Sequence, residues 1–298
     1  MASFFDEIAR NNLKSFLLLA IFTIFFMGVI YFVVYLFGGG LFAFALGAMV
    51  VVLYAAFTYY SGDRVVLAIS KAKVADEKQY QNLYASVEGL SSAMQIKMPK
   101  IYIINDPNPN AFATGRRSKP SIAFTTGLLQ TMSRDELEGV ISHELSHISD
   151  NDILVMTIAI AFAGAIGLIA AYLRLSFFFG GFEGRGRGNS GLLMLIALAI
   201  GLLAPLFALL TRLAISRRRE YMADANGARV TRNPAELASA LKKIQSYEKN
   251  PRSTPVVHAN EVTASLYFAN PFKASSMMNL FSTHPPIEER IRRLQAMY

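Results

Sequence analysis

Three long stretches of the 298-residue sequence contain no charged residue. They run from Ser15 to Gly62, from Ile153 to Leu173 and from Gly191 to Thr211. A helix needs about 20 consecutive apolar residues to cross the hydrocarbon core of a bilayer, and each stretch is long enough. The hydrophobic content of 53% and the mean hydropathy of +0.35 agree with this interpretation. The sequence therefore predicts a membrane protein.

The first charge-free stretch is too long for a single crossing. Three consecutive glycines at 38–40 interrupt it, which favours two helices at 15–37 and 41–60 joined by a tight turn. Together with spans at 153–173 and 191–211, this predicts four membrane helices. A cleaved signal peptide is the alternative for the N-terminus, but its apolar region would have only about 7 to 15 residues.

Lysine and arginine flank the spans unevenly, which predicts the orientation of the chain. Cytoplasmic flanks retain positive charge during insertion. One side carries Arg10, Lys14, Arg64, Lys71, Lys73, Arg212, Arg217, Arg218 and Arg219, and the other carries Arg174, Arg185 and Arg187. We therefore expect both termini and the polar segments in the cytoplasm. The net charge of +8 then reflects topology and attraction to anionic lipid, and no nucleic-acid partner is expected.

Two polar segments, at 63–152 and 212–298, follow the two pairs of spans. In the first segment, apolar residues at helical spacing predict a helix at about 75–94, and β-rich runs at 100–105 and 121–126 predict a small sheet. An S-x-x-E capping box at 133–136 then opens another helix. The predicted fold is mainly α with a small β-sheet, carried by four membrane helices.

The sequence His143-Glu144-Leu145-Ser146-His147 lies within this last helix. Residues i and i+4 share a helix face, so both imidazoles can bind one metal ion. Glu144 lies beside that face, where it can take a proton from a water molecule on the metal. No glycine or proline separates the motif from the third span, which favours a helix that continues into the membrane.

The absence of cysteine requires any metal to bind through histidine, aspartate or glutamate. A catalytic zinc needs a third protein ligand and an open position. Among His258, His284 and the acids, Glu220 is favoured, because it follows the fourth span as the two histidines precede the third. An ion pair with Arg217 is the alternative for Glu220. Asp224, one turn later, can orient a ligand histidine or can end a helix.

Other charged residues near these motifs have less specific interpretations. Asp150 and Asp152 follow the motif closely, and solvated acids at the membrane boundary are favoured over contacts to the ligands. Arg290 is equally compatible with pairing to an active-site carboxylate and with an ordinary charge on a helix surface.

The motifs H-E-L-S-H, R-R-R-E-Y-M-A-D and S-T-H-P-P occur in this order, with two spans between the first and the second. This arrangement resembles the HtpX-type integral-membrane zinc metalloproteases, with the CAAX prenyl proteases as more distant relatives. The resemblance extends over almost the whole chain. It implies a zincin-like catalytic domain of the gluzincin type with one zinc per chain. The implied roles are zinc binding by His143, His147 and Glu220, general base catalysis by Glu144 and orientation of a histidine by Asp224.

The resemblance also implies two further parts of an active site. His284 matches the histidine that stabilises the oxyanion of the transition state, and capping of the last helix is its alternative. Apart from the resemblance, Tyr221 is a second candidate for the oxyanion donor. The sequence N-A-F-A-T-G is similar to an exposed substrate-binding edge strand, to which an extended peptide adds by backbone pairing. The substrate-binding residues would be Asn110, Ala111, Phe112 and Ala113. An ordinary turn between two strands is the alternative.

The predicted function is a multi-pass endopeptidase of the bacterial inner membrane with its catalytic domain in the cytoplasm. Its expected partners are the lipid bilayer and misfolded, unfolded or damaged membrane proteins, in a stress-response role. A CAAX-type prenyl-peptide protease and a non-catalytic zinc-binding membrane adaptor are the alternatives. The predicted division is an N-terminal hairpin at 1–62, catalytic segments at 63–152 and 212–298, and a second hairpin at 153–211. The sequence does not determine the oligomeric state.

Overall fold

The computed structural model describes residues 4–36, 40–159, 161–162, 217–249, 268 and 285–297. Within these residues the protein is mostly helical with one small mixed sheet, as predicted. Only the beginning of the third predicted span is described, and it is helical at 153–159 and 161–162. The fourth span, at 191–211, lies outside the described residues. The four-span architecture and the division into domains therefore stay predictions.

The first two helices, α1 (Phe4–Leu36) and α2 (Leu41–Ile69), match the predicted N-terminal hairpin. Of the described helices, α2 has the length and the apolar composition needed to cross a membrane. It continues past the predicted end at residue 60, with a kink at Ser61. Large apolar side chains such as Phe16, Ile24 and Phe42 are exposed on the two helices, which is the distribution expected of surfaces that face lipid.

The helix that starts the third span packs against this hairpin. The ring of Phe162 stacks on Phe22 of α1 with a centroid distance of 3.9 Å. The hydroxyl of Tyr54, on α2, donates a hydrogen bond of 2.9 Å to the carbonyl of Ala161. The three helices therefore meet in one apolar cluster.

The sheet contains β1 (Lys73–Val74), β2 (Lys100–Ile104), β3 (Ala111–Arg116) and β4 (Lys119–Thr125), in the order β1-β2-β4-β3. Strand β2 pairs with β4 in parallel, and the other two pairs are antiparallel. The two β-rich runs of the sequence are thus the two central strands. The N-A-F-A-T-G segment forms an edge strand, so its interpretation as an ordinary turn is wrong.

The predicted helix at 75–94 is shorter, because α3 spans Gln81–Ala93. Ala75 instead donates its backbone N–H to the carbonyl of Ile101 and so extends the sheet. The Asp76 carboxylate accepts the backbone N–H groups of Lys78 and Gln79, which fixes a turn before the helix. Apolar periodicity does not reveal such local side-chain hydrogen bonds.

Helix α4 (Thr126–Thr131) leads to α5 (Arg134–Ser149), which carries the H-E-L-S-H motif. The predicted capping box is present, with Ser133 and Glu136 each bonded to the other's backbone N–H. The prediction of one helix continuing into the membrane is wrong. The helix ends at Ser149, Asn151 adopts a positive φ of 56°, and a new helix, α6, begins at residue 152. Asparagine tolerates this left-handed conformation better than most residues, so the chain can turn here without glycine.

Helices α7 (Arg217–Thr231), α8 (Pro234–Lys249) and α9 (Ile287–Gln295) complete the described fold. Helix α5 lies at the centre and packs against α3, α7, α8 and β3. A glycine permits its closest contact with α7, because a Cβ at Gly227 would lie 3.0 Å from Ser142 Oγ and 3.1 Å from the His143 backbone nitrogen. This close approach brings the side chains of α7 over the motif.

Candidate active site

His143 and His147 lie on one face of α5, and Glu220 of α7 faces them. The two Nε2 atoms are 3.1 Å apart. The Glu220 carboxylate oxygens lie 3.8 Å from His143 Nε2 and 3.5 Å from His147 Nε2. All three side chains are buried, and Glu220 faces the two histidines. The structure brings together the three ligands that the sequence predicts.

The spacing of these atoms fits a tetrahedral zinc ion. Zinc–nitrogen and zinc–oxygen bonds are about 2.0–2.1 Å, so two ligand atoms on one tetrahedral zinc lie about 3.3 Å apart. The two Nε2 atoms are 3.1 Å apart, and each lies near a different oxygen of Glu220, His143 at 3.8 Å from Oε2 and His147 at 3.5 Å from Oε1, so both carboxylate oxygens face the site at separations near this value. Two imidazoles and one carboxylate are also the donor set of many catalytic zinc sites. The residues present therefore fit the metal.

A carboxylate holds the other ring nitrogen of each histidine. Asp224 Oδ1 lies 3.0 Å from His143 Nδ1, and Asp152 Oδ2 lies 2.9 Å from His147 Nδ1. Each bond directs Nε2 of its histidine towards the shared site, which is the usual arrangement around a metal ligand. Asp224 lies within α7, which continues to Thr231, so it does not end a helix.

The interpretation of Asp152 as a solvated acid is wrong, because its side chain is buried against His147. The turn at Asn151 produces this position, since it starts α6 beside the end of α5. The available sequence signal was an acid five residues after the second histidine. Spacing alone could not show that the helix breaks at Asn151 and that Asp152 then contacts His147.

Arg290 of α9 is also part of the site, and its interpretation as a surface charge is wrong. It is fully buried and donates two hydrogen bonds to the Asp224 carboxylate, of 2.8 and 2.7 Å. Its Nη1 lies 3.7 Å from Glu220 Oε2 and donates to the carbonyl of Phe268 at 2.9 Å. The guanidinium thus balances the charge of two buried carboxylates.

Glu144 is buried between α5 and strand β3. Burial raises the pKa of its carboxyl to about 7, and the charge of Glu220 acts in the same direction. The charges of His147 and Arg290 and a hydrogen bond from the Ala113 backbone oppose this shift. A carboxyl with a pKa near neutrality can both accept and release a proton.

The two ligand histidines differ in their affinity for protons. Burial lowers the pKa of His143 to about 4, so its imidazole is neutral. Burial also disfavours the charged form of His147, but the charge and hydrogen bond of Asp152 outweigh it and raise the pKa to about 10. The 3.1 Å separation of the two Nε2 atoms places both rings within reach of one metal ion. Metal binding requires the neutral form of each imidazole, so metal affinity depends on pH.

The expectation that the edge strand is exposed is wrong. The side chains of Asn110, Ala111, Phe112 and Ala113 are all buried. Two other segments pack along the outer edge of β3 and use its backbone groups. Phe268 donates its backbone N–H to the Ala111 carbonyl, and Thr157 Oγ1 accepts the N–H of Gly115 at 2.8 Å. The role of these residues in substrate binding stays a prediction.

The oxyanion role of the two candidate donors, His284 and Tyr221, stays a prediction. His284 lies outside the described residues. The guanidinium of Arg293 lies over the ring of Tyr221, at 3.7 Å from the ring centroid. Phe268, which the sequence analysis did not select, has its ring edge-to-face with His143 at 4.8 Å. Apolar periodicity gives no signal for this aromatic residue.

Comparison with known proteins identifies the family. The model described as peptidase family M48 matches residues 77–298. The chain belongs to peptidase family M48. Membership makes this M48 peptidase a metalloprotease, in agreement with the catalytic geometry.

Curated relatives of the M48 peptidase are named Protease HtpX homolog. The relative from Caldanaerobacter subterraneus is 42% identical over 294 residues, covering 97% of this chain and 96% of that protein. The relative from Streptococcus thermophilus is 43% identical over 303 residues, covering 98% and 99%. The relative from Thermococcus kodakarensis is 44% identical over 288 residues, covering 95% and 94%. The predicted HtpX-type resemblance is thereby confirmed.

Among solved structures, the chain is similar to the crystal structure of S. mikatae Ste24p, with 20% identity and a TM-score of 0.43. The match covers 85% of this chain and 64% of that chain, which is less than two thirds of its length.

Proposed function

We propose that this M48 peptidase is a zinc endopeptidase of the bacterial inner membrane that cleaves misfolded or damaged membrane proteins on the cytoplasmic side. The observation that carries the proposal is the buried triad of His143, His147 and Glu220 with Glu144 beside it. A site used only to bind structural zinc has no need for an ionisable carboxyl that titrates near neutrality.

In the proposed mechanism, His143, His147 and Glu220 hold one zinc ion. A zinc ion held by these residues would supply a Lewis acid for the scissile carbonyl and would lower the pKa of a bound water molecule. Glu144 takes the proton of the attacking water and then gives it to the leaving amine, a double role that its pKa of about 7 permits. His284, with Tyr221 as the alternative, donates a hydrogen bond to the developing oxyanion.

Asp152, Asp224 and Arg290 position the zinc ligands in this mechanism. The two aspartates hold the imidazoles in one tautomer and one orientation, so that both Nε2 atoms face the metal. Arg290 keeps Asp224 ionised and fixes its direction through two hydrogen bonds. Rigid support of this kind maintains the geometry of the ligands during turnover.

The proposed placement in the membrane rests on the charge-free stretches, on the apolar length of α2 and on the exposed apolar side chains of α1 and α2. Four spans with both termini in the cytoplasm place the active site at the bilayer surface. Membrane proteins that lose their fold expose segments at this level. Such segments are extended, and we propose that they pair with β3 at Asn110, Ala111, Phe112 and Ala113. A substrate that pairs with the Ala111 carbonyl must displace Phe268.

The test compares wild type with Glu144→Gln, both purified in detergent with a chelator and then loaded with zinc. We expect both proteins to bind one zinc per chain and only the wild type to cleave casein and an unfolded membrane protein. Glu138→Gln on the same helix is the matched control, because Glu138 pairs with exposed Arg134, away from the ligands. Equal cleavage by Glu144→Gln and wild type would refute the mechanism. Zinc binding without cleavage by the wild type would favour the adaptor alternative.

A further inference from the structure

The turn between β3 and β4, residues Arg116–Lys119, is a basic hairpin tip. Arg116 and Lys119 pair across the turn, and Arg117 lies between them. A fourth cation, Lys97, lies next to the tip and donates to the Ser118 carbonyl at 3.4 Å. Lys119 is exposed and the two arginines are partly exposed. The hairpin tip therefore presents a cluster of positive charge on the surface.

Hydrogen bonds to Asn151 and, through it, to Asn12 place the hairpin tip at the boundary of the charge-free stretches. The Arg117 N–H donates to Asn151 Oδ1 at 3.1 Å, and the Asn151 side chain donates to Asn12 Oδ1 at 2.6 Å. Asn12 lies just before the first charge-free stretch, and Asn151 lies just before the stretch that starts at 153. Residues just before two charge-free stretches are thus connected to the hairpin tip: Asn151 bonds to it directly, and Asn12 bonds to Asn151.

Two tyrosines of α2 give independent evidence for the position of the membrane surface. The guanidinium of Arg116 lies over the rings of Tyr59 and Tyr60, at 5.7 and 5.0 Å from the centroids. These tyrosines lie two and three residues before Gly62, where the first charge-free stretch ends. Tyrosine is enriched at the level of the lipid headgroups, where its ring is in the apolar layer and its hydroxyl is in water. Contacts from residues near the ends of three charge-free helical segments therefore place the hairpin tip at the expected level of the membrane surface.

The hairpin tip is suited to bind an anion at this level. Within the described part of the chain, Arg116 Nε is buried and has no hydrogen-bond partner. The acid that lines the same surface pocket is Asp63, which is only 7% exposed, so the accessible groups of the tip are basic. Guanidinium and ammonium groups are the usual partners of phosphate oxygens. The anions concentrated at a cytoplasmic membrane surface are phospholipid headgroups.

We propose that the hairpin tip binds the headgroup phosphates of anionic phospholipids. The inference rests on the membrane placement in the proposed function and adds the ligand of a specific surface. Strand β3 connects the hairpin tip to the active site, because Ala113, next to Glu144, precedes Arg116 by three residues. Three strand residues span about 10 Å, so headgroup binding holds the substrate strand at about this distance from the phosphate layer.

The test uses the full chain with the Glu144→Gln substitution, so that the readout does not depend on peptidase activity. The protein is purified in neutral detergent and titrated with phosphatidylglycerol or with phosphatidylcholine, and bound lipid is counted by native mass spectrometry. The tip variant combines Arg116→Gln, Arg117→Gln and Lys119→Gln. The control variant combines Lys78→Gln, Arg229→Gln and Lys242→Gln, which removes three exposed charges elsewhere.

We expect the parent protein to bind phosphatidylglycerol more tightly than phosphatidylcholine. Each basic residue near a membrane surface contributes roughly fivefold to the affinity for anionic lipid, so the tip variant should lose on the order of a hundredfold. The control variant should change by less than about twofold, because its residues are remote from the tip. Lys119→Gln alone should lose roughly fivefold, and this exposed substitution tests the proposal if the triple variant does not fold.

Three outcomes would overturn the proposal. These are equal affinity of the parent protein for the two lipids, equal affinity of the parent and the tip variant for phosphatidylglycerol, and displacement of the lipid by inorganic phosphate at the same concentration. Recovery of the parent protein from the soluble fraction without detergent would instead refute the membrane placement in the proposed function.

Discussion

Asp152 is the buried partner of His147, and the Asp152→Asn substitution tests what this contact contributes. The substitution keeps the size of the side chain and its hydrogen-bond acceptor but removes the negative charge. The contact is 2.9 Å long and both groups are almost inaccessible to water, so little solvent screens the charge. Arg219 Nε lies 4.0 Å from the same carboxylate oxygen and would lose its neighbouring anion. We therefore expect Asp152→Asn to lower the affinity of the site for zinc.

The expected loss can be estimated from the geometry. Substitution of a carboxylate that orients a metal-binding histidine lowers metal affinity by about 10- to 100-fold. This range corresponds to about 1.4–2.8 kcal/mol of binding free energy. Because asparagine can still accept the Nδ1 hydrogen bond, we expect a value near the lower end for Asp152→Asn. Asp152→Ala, which removes the hydrogen bond as well, should reach the upper end.

The assay is competition for zinc between the purified protein and a fluorescent chelator, at fixed pH and salt. Asp135→Asn is the matched control, since Asp135 is an exposed residue in the first turn of the same helix. Thermal unfolding of the zinc-free proteins separates orientation of the ligand from a general structural effect. The reasoning is refuted if Asp152→Asn binds zinc as tightly as Asp135→Asn, or if only the unfolding temperature changes.

Three further predictions concern the packing around the site. Arg290→Met should lower the free energy of unfolding by about 3–5 kcal/mol in urea titrations, because Asp224 stays buried without its cation; a loss below about 1 kcal/mol would contradict this. Gly227→Ala should cost about 1–3 kcal/mol and weaken zinc binding in the chelator assay, because the new Cβ meets the backbone of α5 at 3.1 Å; unchanged zinc binding would show that α7 can shift freely. Burial raises the pKa of Glu136, but hydrogen bonds from Lys243, the Ser133 backbone and Ser239 outweigh it and hold the pKa below its usual value. This pair should therefore stabilise the fold fully above the unfolded-state pKa of glutamate and progressively less as pH falls through the lower folded-state pKa, and Lys243→Met should flatten this part of the stability–pH profile; identical profiles would refute the assignment.

The sequence predicted those parts of the site that depend on neighbours along the chain. The four-residue spacing of His143 and His147 places them on one helix face whatever the rest of the fold does. The capping box of Ser133 and Glu136 likewise requires only one helical turn, and the structure contains it. The two central strands were visible as β-rich runs. Glu220, which is distant in sequence, was favoured by the need for a third ligand and by its position after the fourth predicted span, and the family resemblance implied the same residue.

Features that depend on where distant segments pack could not be predicted in the same way. The break at Asn151 separates α5 from α6, and Asp152, the first residue of α6, contacts His147. The contact of Arg290 with Asp224 joins residues 66 positions apart. Neither contact follows from periodicity, which describes one element at a time.

Strand β3 shows the same division. The family resemblance implied an edge strand, and the sheet order places β3 at the edge. Its burial depends on Thr157 and Phe268, which come from other parts of the chain and use the free N–H and C=O groups of that edge. The sequence by itself determined which side chains can bind a metal and which segments can cross a membrane, because both properties are local. Only the tertiary structure decided which charges became buried partners of those side chains, because burial depends on the surfaces that distant segments bring together.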